Sequence, residues 1–297
     1  MRYRFVTCDV FTTRRFCGNQ LAVFPDAEGL DGAQMQALAR EFNYSESTFV
    51  LPPRDPAHLA AVRIFTPRGE LGFAGHPTIG TALALAWQGR TPHDGDFTLE
   101  LKVGRVPVQV RRGQGGGLTA EFAAPQPPRH DPPLAPETVA AAVGLAVDDL
   151  VLDDGLPCVG SCGTPFLLVE LAGLDALGRA QARDFAGLPA STGGSVFLFT
   201  RQGTDEPGEL RARMYAPGHG ILEDPATGSA VAALAGFLAD RPGLADGWHR
   251  WRIRQGVEMG RPSLIEAAAH RAAGAVAEVR IGGGAVPVAE GSIEVDG

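Results

Sequence analysis

Polar and apolar positions alternate over the first residues, MRYRFVTCDVF, and the period of two predicts a strand. The same alternation returns in LELKVGRVPVQV and, with turns between, predicts a hairpin group, FTLELKVGRVPVQVRR followed by LTAEF. A second group is predicted in WRIRQGVEMGRPSLIEAAA and AVAEVRIGGG. ALAREF (37–42) and AQARDF (180–185) carry a helical period. Two other helical runs, LALAW and AVAALAGFL, are more apolar than a surface helix needs, so each is expected to be wrapped by sheet.

The pattern is written twice. CGNQLAVF from Cys17 is answered by CGTPFLLV from Cys162, ALAREF by AQARDF, and STFVL from Ser47 by SVFLF from Ser195. RIFTP (63–67) is echoed by RMYAP (213–217), and HPTIGTALALA from His76 by DPATGSAVAAL from Asp224. The offset is 148 at Phe49/Phe197, Pro77/Pro225 and Gly80/Gly228. Matches in the same order predict a tandem duplication of one α/β unit. The expected division is an N-terminal half (1–125), a proline-rich linker (126–137) and a C-terminal half (138–297). The extreme C-terminus is a candidate to return to the first half. Two such halves facing each other would enclose a cleft for a small molecule.

The duplicated helix starts carry the candidate chemistry. His76-Pro77 and Asp224-Pro225 both read as helix entries with proline in the first helical position, where its missing N–H costs nothing. Gly80/Thr81 and Gly228/Ser229 are placed in the first turn, where free amides and a partial positive charge favour a carboxylate. Aspartate is also an ordinary N-cap, and a lone histidine is often structural. The contrast between the copies, histidine in one and aspartate in the other, argues for more than capping. Glu46, in NYSESTFVL, has no acidic counterpart, since Gly194 occupies the matching place. It is either an exposed strand-edge charge or a general base or acid.

Composition narrows the choices. The chain has 297 residues, a net charge of −8 and no basic run, so neither nucleic acid nor an anionic membrane is an expected partner. The longest apolar stretch, Ala230–Ala239, falls short of the ~20 residues of a membrane span. The N-terminus reads as a strand rather than a targeting segment, and a cytoplasmic location is the expectation. Cys8, Cys17, Cys158 and Cys162 form neither a disulfide framework nor a complete zinc set. The one lysine, Lys102, lies in a strand pattern and suits a Schiff base poorly. GQGGG (113–117) reads as a hairpin turn, not a phosphate loop. No metal or organic cofactor is expected.

In this order, GNQLAVF, NYSESTFV, FTPRGELGFAGHPTIGTA, EDPATGSA and QGVEMGRPS resemble the PhzF-like family of phenazine-biosynthesis isomerase-type proteins, which have the diaminopimelate epimerase fold. The match covers nearly the whole chain. It implies an α/β (α+β) fold of two pseudo-symmetric halves, each a curved mixed sheet around a central apolar helix, and a homodimer. It also implies a cofactor-independent isomerase or epimerase that shuttles a proton on a small carboxylate-bearing substrate. Carried over, the glutamate acid/base falls on Glu46, the histidine on His76 and the aspartate on Asp224. The residues holding the substrate carboxylate fall on Gly228 and Ser229, and Gly75 stands where epimerases of this fold carry a catalytic cysteine. Ser45 and Asn19, in the same motifs, complete the expected substrate-binding set. Gln20 stands where the family commonly has proline.

Two rival functions remain at this stage. Cys17-Gly-Asn and Cys162-Gly-Thr resemble the motifs of a two-cysteine amino-acid epimerase or racemase, although both precede strand patterns rather than a helix start. A non-catalytic member of the fold, binding a small acid or a protein, is the other.

Overall fold

Strand-forming alternation, glycine-bounded hairpins and two apolar helical runs produce a mixed α/β chain. The computed structural model describes all residues except Pro92, Gln114, Gly115, Asp154, Thr204, Asp205, Pro207 and Gly297. Its contacts group the chain into two compact units, Met1–Ala123 with Gly282–Gly297, and Ala124–Ile281.

The first unit contains, in order, β1 (Arg2–Val10), β2 (Asn19–Phe24), α1 (Gly32–Phe42), β3 (Glu46–Leu51), β4 (Ala60–Phe65), β5 (Glu70–Leu71), α2 (Gly75–Trp87), β6 (Gly95–Leu101), β7 (Gly104–Arg112) and β8 (Leu118–Ala123). The second contains β9 (Arg129–His130), α3 (Pro136–Val143), β10 (Cys158–Ser161), β11 (Pro165–Glu170), α4 (Leu174–Arg179), β12 (Val196–Thr200), β13 (Glu209–Ala216), β14 (Ile221–Asp224), α5 (Gly228–Ala239), β15 (Gly247–Gln255) and β16 (Ser263–Ala272). The long β17 (Ala275–Glu294) starts in the second unit and ends in the first.

In the first unit β1 pairs antiparallel with β2, β2 parallel with β3, and β3 antiparallel with β4. Then β4 pairs parallel with β6, and β6, β7 and β8 follow antiparallel. β17 pairs with both β8 and β1, which closes the sheet into a barrel. The second unit repeats the succession: β10–β11 antiparallel, β11–β12 parallel, β12–β13 antiparallel, β13–β15 parallel and β15–β16 antiparallel.

The two apolar helices are buried almost throughout. α2 packs against β1, β2, β3, β7 and β8, and every residue but Trp87 is buried. α5 packs against β9, β10, β11, β15 and β16, and only Ser229 is partly exposed. α1 covers the other face of β3 and β4, placing Met35, Leu38 and Ala39 on Phe24, Phe49 and Phe65. Its start is fixed by a capping box between Asp31 and Gln34. Among the described residues no helix is long and apolar enough to cross a membrane.

Three expectations meet a different structure. The helix expected over 180–185 is not formed: α4 ends at Arg179, and the next helical turn is a short 3₁₀ segment at Phe185–Gly187. The carbonyl of Ala180 is taken by the Arg213 guanidinium and the Tyr215 hydroxyl, and the N–H groups of Gln181 and Arg183 bond to carbonyls at the end of α3. Tertiary partners therefore outbid the helical ladder. α5 begins at Gly228, not at Asp224, which closes strand β14. Pro77 is the third residue of α2, so Gly80 and Thr81 lie beyond its first turn. The turn expected at 113–117 includes Gln114 and Gly115, which lie outside the described residues; Arg112 and Leu118 on either side are paired antiparallel. The proline-rich stretch carries β9, which pairs with β10, and its Asp131 and Leu134 N–H groups bond to Val159 and Pro157.

Gly80 sets how closely α2 approaches the strands. A Cβ there would lie 2.5 Å from Leu21 Cδ2 and 2.7 Å from Val10 Cγ2. Gly178, in α4, has no atom within 4 Å of that position. Urea unfolding should therefore show Gly80→Ala destabilised by about 1–3 kcal/mol through overpacking. Gly178→Ala should be neutral or gain up to about 1 kcal/mol from helix propensity. Equal effects at both sites would contradict the packing role.

Candidate active site

In the first unit the site is assembled by strand order. β2 and β3 run parallel with Leu21 opposite Glu46, so Asn19 and Glu46 start neighbouring strands at the same end of the sheet. Side chains two apart on a strand share a face. Thr48 accepts a hydrogen bond from the Thr81 hydroxyl of α2, at 2.8 Å, so Glu46 also faces that helix. His76 is the second residue of α2, preceded by Gly75 and followed by Pro77.

These positions bring Asn19, Glu46 and His76 together. His76 Nε2 lies 3.5 Å from Glu46 Oε2 and 3.3 Å from the carbonyl oxygen of Gln20. Its Nδ1 lies 3.3 Å from Asn19 Nδ2. An amide nitrogen can only donate, so Nδ1 is the acceptor and the ring proton sits on Nε2. That N–H bonds to the carbonyl of Gln20, and the Glu46 carboxylate lies alongside. The imidazole is 4% exposed, and burial pushes its pKa down to about 3 although the Gln20 carbonyl pulls upward. His76 is thus a neutral imidazole held beside the Glu46 carboxylate.

In the second unit Asp224 is buried at the end of β14, opposite Met214 of β13. Its Oδ2 accepts from the Thr227 hydroxyl at 2.6 Å. Thr227 is the N-cap of α5, and Gly228 and Ser229 are the first two helical residues. Their amides stand in the first turn, where an α-helix leaves N–H groups without intrahelical partners. Gly75 is buried, while Ser45 and Ser229 are partly exposed.

No sequence pattern singles out Gln20, Thr227 or Gln255 as a functional residue. Gln20 acts through its carbonyl, which no side-chain pattern reveals. Thr227 and Gln255 sit within EDPATGSA and QGVEMGRPS, and the co-occurrence of those two blocks was the available signal.

The cysteines are placed differently. Cys17 precedes β2, and Cys162 lies in the turn between β10 and β11. Burial pushes the Cys162 thiol up to about 12, and it bonds to the Ala232 carbonyl at 3.3 Å. A thiol held protonated is a poor proton acceptor. Cys158 is likewise pushed up to about 12 by burial and then by Asp131. Among the described residues, no three His, Cys, Asp or Glu side chains gather as metal ligands.

The His76 environment fixes a sign for pH dependence. An unfolded chain binds a proton at this histidine near pH 6.5, the folded one only near 3, so stability falls as pH drops through that window. At about 1.4 kcal/mol per unit, wild type should lose roughly 2 kcal/mol more than His76→Gln between pH 7 and pH 5. Urea unfolding at the two pH values measures this; equal losses would contradict a buried neutral imidazole.

Comparison with known proteins places this geometry. The family model described as phenazine biosynthesis-like protein matches residues 8–291. The chain is 39% identical over 295 residues to an uncharacterized isomerase of Mesorhizobium japonicum, covering 97% of this chain and 98% of that one. It is 37% identical over 289 residues to the trans-2,3-dihydro-3-hydroxyanthranilate isomerase of Pseudomonas aeruginosa, again covering 97% and 98%. The crystal structure of a Bacillus anthracis phenazine biosynthesis protein of the PhzF family superposes with a TM-score of 0.91 at 24% identity, covering 99% of this chain and all (100%) of that one, a likeness of fold. With a whole-chain family match and relatives of this identity, the chain belongs to the phenazine biosynthesis-like (PhzC-PhzF) family.

Proposed function

We propose that the protein is an isomerase that moves a proton on a small, carboxylate-bearing cyclic substrate, using side chains for the proton transfers. The observation that carries this reading is the buried approach of Glu46 Oε2 to His76 Nε2 at 3.5 Å. A carboxylate beside a neutral imidazole, away from water, can accept a proton from carbon and return it to another carbon. Glu46 is the carbon acid/base in this reading. His76 borders its carboxylate and serves the polar groups of the substrate. Asp224 serves a second polar group, and Gly228 and Ser229 hold the substrate carboxylate at the start of α5. Gly75, Ser45 and Asn19 line the substrate in the same scheme.

The name of the Pseudomonas aeruginosa relative supplies the first compound to try, trans-2,3-dihydro-3-hydroxyanthranilate. Wild type incubated with it in D₂O should yield an isomer carrying solvent deuterium. Glu46→Gln should lower turnover by about 10²–10⁴-fold, the usual weight of a general acid/base. Cys162→Ser should keep wild-type turnover. Deuterium incorporation that persists in folded Glu46→Gln, or that is lost in Cys162→Ser, would sink the assignment.

A further inference from the structure

The start of α5 is clasped by a segment distant in sequence. Gln255, the last residue of β15, has no exposed surface (0%). Parallel pairing of β13 with β15 sets Gln255 beside Ala212, two residues before the Met214 that faces Asp224. From there its Nε2 donates to the Asp224 carbonyl at 2.7 Å and to Thr227 Oγ1 at 2.9 Å. Its Oε1 accepts from the Thr227 N–H at 3.0 Å. A backbone carbonyl and a backbone N–H therefore fix which way the amide points, since neither can exchange roles.

That orientation propagates. Thr227 Oγ1 receives a proton from Gln255, so its own proton is directed to Asp224 Oδ2, at 2.6 Å. Oδ2 is committed as an acceptor, and a proton taken up by Asp224 goes to Oδ1. The same segment holds the turn twice more. The Ser263 hydroxyl donates to the Pro225 carbonyl at 2.8 Å. Gly256, at φ +72°, lies so close that a Cβ would stand 2.6 Å from the Pro225 oxygen. In the first unit the matching helix start has Ile79 where this one has Thr227, so the device belongs to one copy of the repeat.

We propose that Thr227 and Gln255 are positioning residues for Asp224: the hydrogen-bonded chain from Gln255 through Thr227 fixes the rotamer of the Asp224 carboxylate and decides which of its oxygens takes a proton. The kinetic consequence rests on the role given to Asp224 above; the hydrogen-bond consequence does not. Two readouts keep these apart. In protein labelled with ¹³C-carboxyl aspartate, with the resonance assigned through Asp224→Asn, the Asp224 carboxyl signal at neutral pH should move in Thr227→Val and return in Thr227→Ser. With trans-2,3-dihydro-3-hydroxyanthranilate, Thr227→Val should lose about 10–100-fold in kcat with KM within about threefold, as expected when a buried hydrogen bond is removed beside a reacting group. Thr227→Ser should restore kcat. Gln255→Glu keeps the acceptor for the Thr227 N–H but loses both donated bonds, and should fall between the two. Loss of turnover in Asp224→Asn accompanied by the Thr227 pattern supports both readings. Unchanged turnover in Asp224→Asn with a shifted resonance in Thr227→Val overturns the role of Asp224 while keeping the positioning chain. An unmoved resonance in folded Thr227→Val, or failure of Thr227→Ser to restore it, overturns the proposal.

Discussion

The first unit depends on one constraint: a helix enclosed by strands has no water at its polar end. α2 packs against five strands, and its first residues are as buried as its leucines. An imidazole in that position loses its hydration, and every polar atom it carries needs a placed partner. Asn19 and the Gln20 carbonyl are those partners, and Glu46 lies alongside. The same dryness that demands them keeps His76 neutral, with its one N–H on the Gln20 carbonyl and the Glu46 carboxylate close by. Structure and chemistry at this site thus share a single cause.

The repeat shows how one fold solves the problem twice with different residues. The succession of strand pairings is the same in both units, and each has one long apolar helix against its sheet. Yet α2 begins one residue before His76, while α5 begins four residues after Asp224. The histidine is oriented as part of a helix, the aspartate as the end of a strand. His76 is held by side chain and backbone of the adjoining β2; Asp224 is held through its own turn by Thr227, itself held from β15 by Gln255. The polar fittings differ between the units, while the apolar frame is alike.

Periodicity made the frame legible. The alternation in residues 2–10 and in the two hairpin groups matches β1, β6, β7, β15 and β16, and the apolar runs match α2 and α5. Glu46 and His76 stood out because the repeat made one copy a control for the other, and the structure sets them 3.5 Å apart. Elsewhere pairwise contacts overrode pattern. The helical period at 180–185 could not show that Arg213 and Tyr215, some thirty residues on, would take the carbonyl that ends the helix. Proline after Asp224 looked like a helix start because local sequence does not reveal that β13 keeps residue 224 in a ladder. Gln255 could be quoted as part of a motif, but its role exists only where β13 and β15 lie side by side.

The central claim is that His76 is a buried, neutral Nε2–H imidazole beside Glu46. The most direct measurement is the ¹⁵N NMR spectrum of histidine-labelled protein, with His76 assigned by substitution. The account predicts a protonated-type Nε2 and a bare Nδ1 for His76 at pH 7, unchanged down to pH 5. An imidazolium signature at pH 7, or a proton on Nδ1, would contradict it.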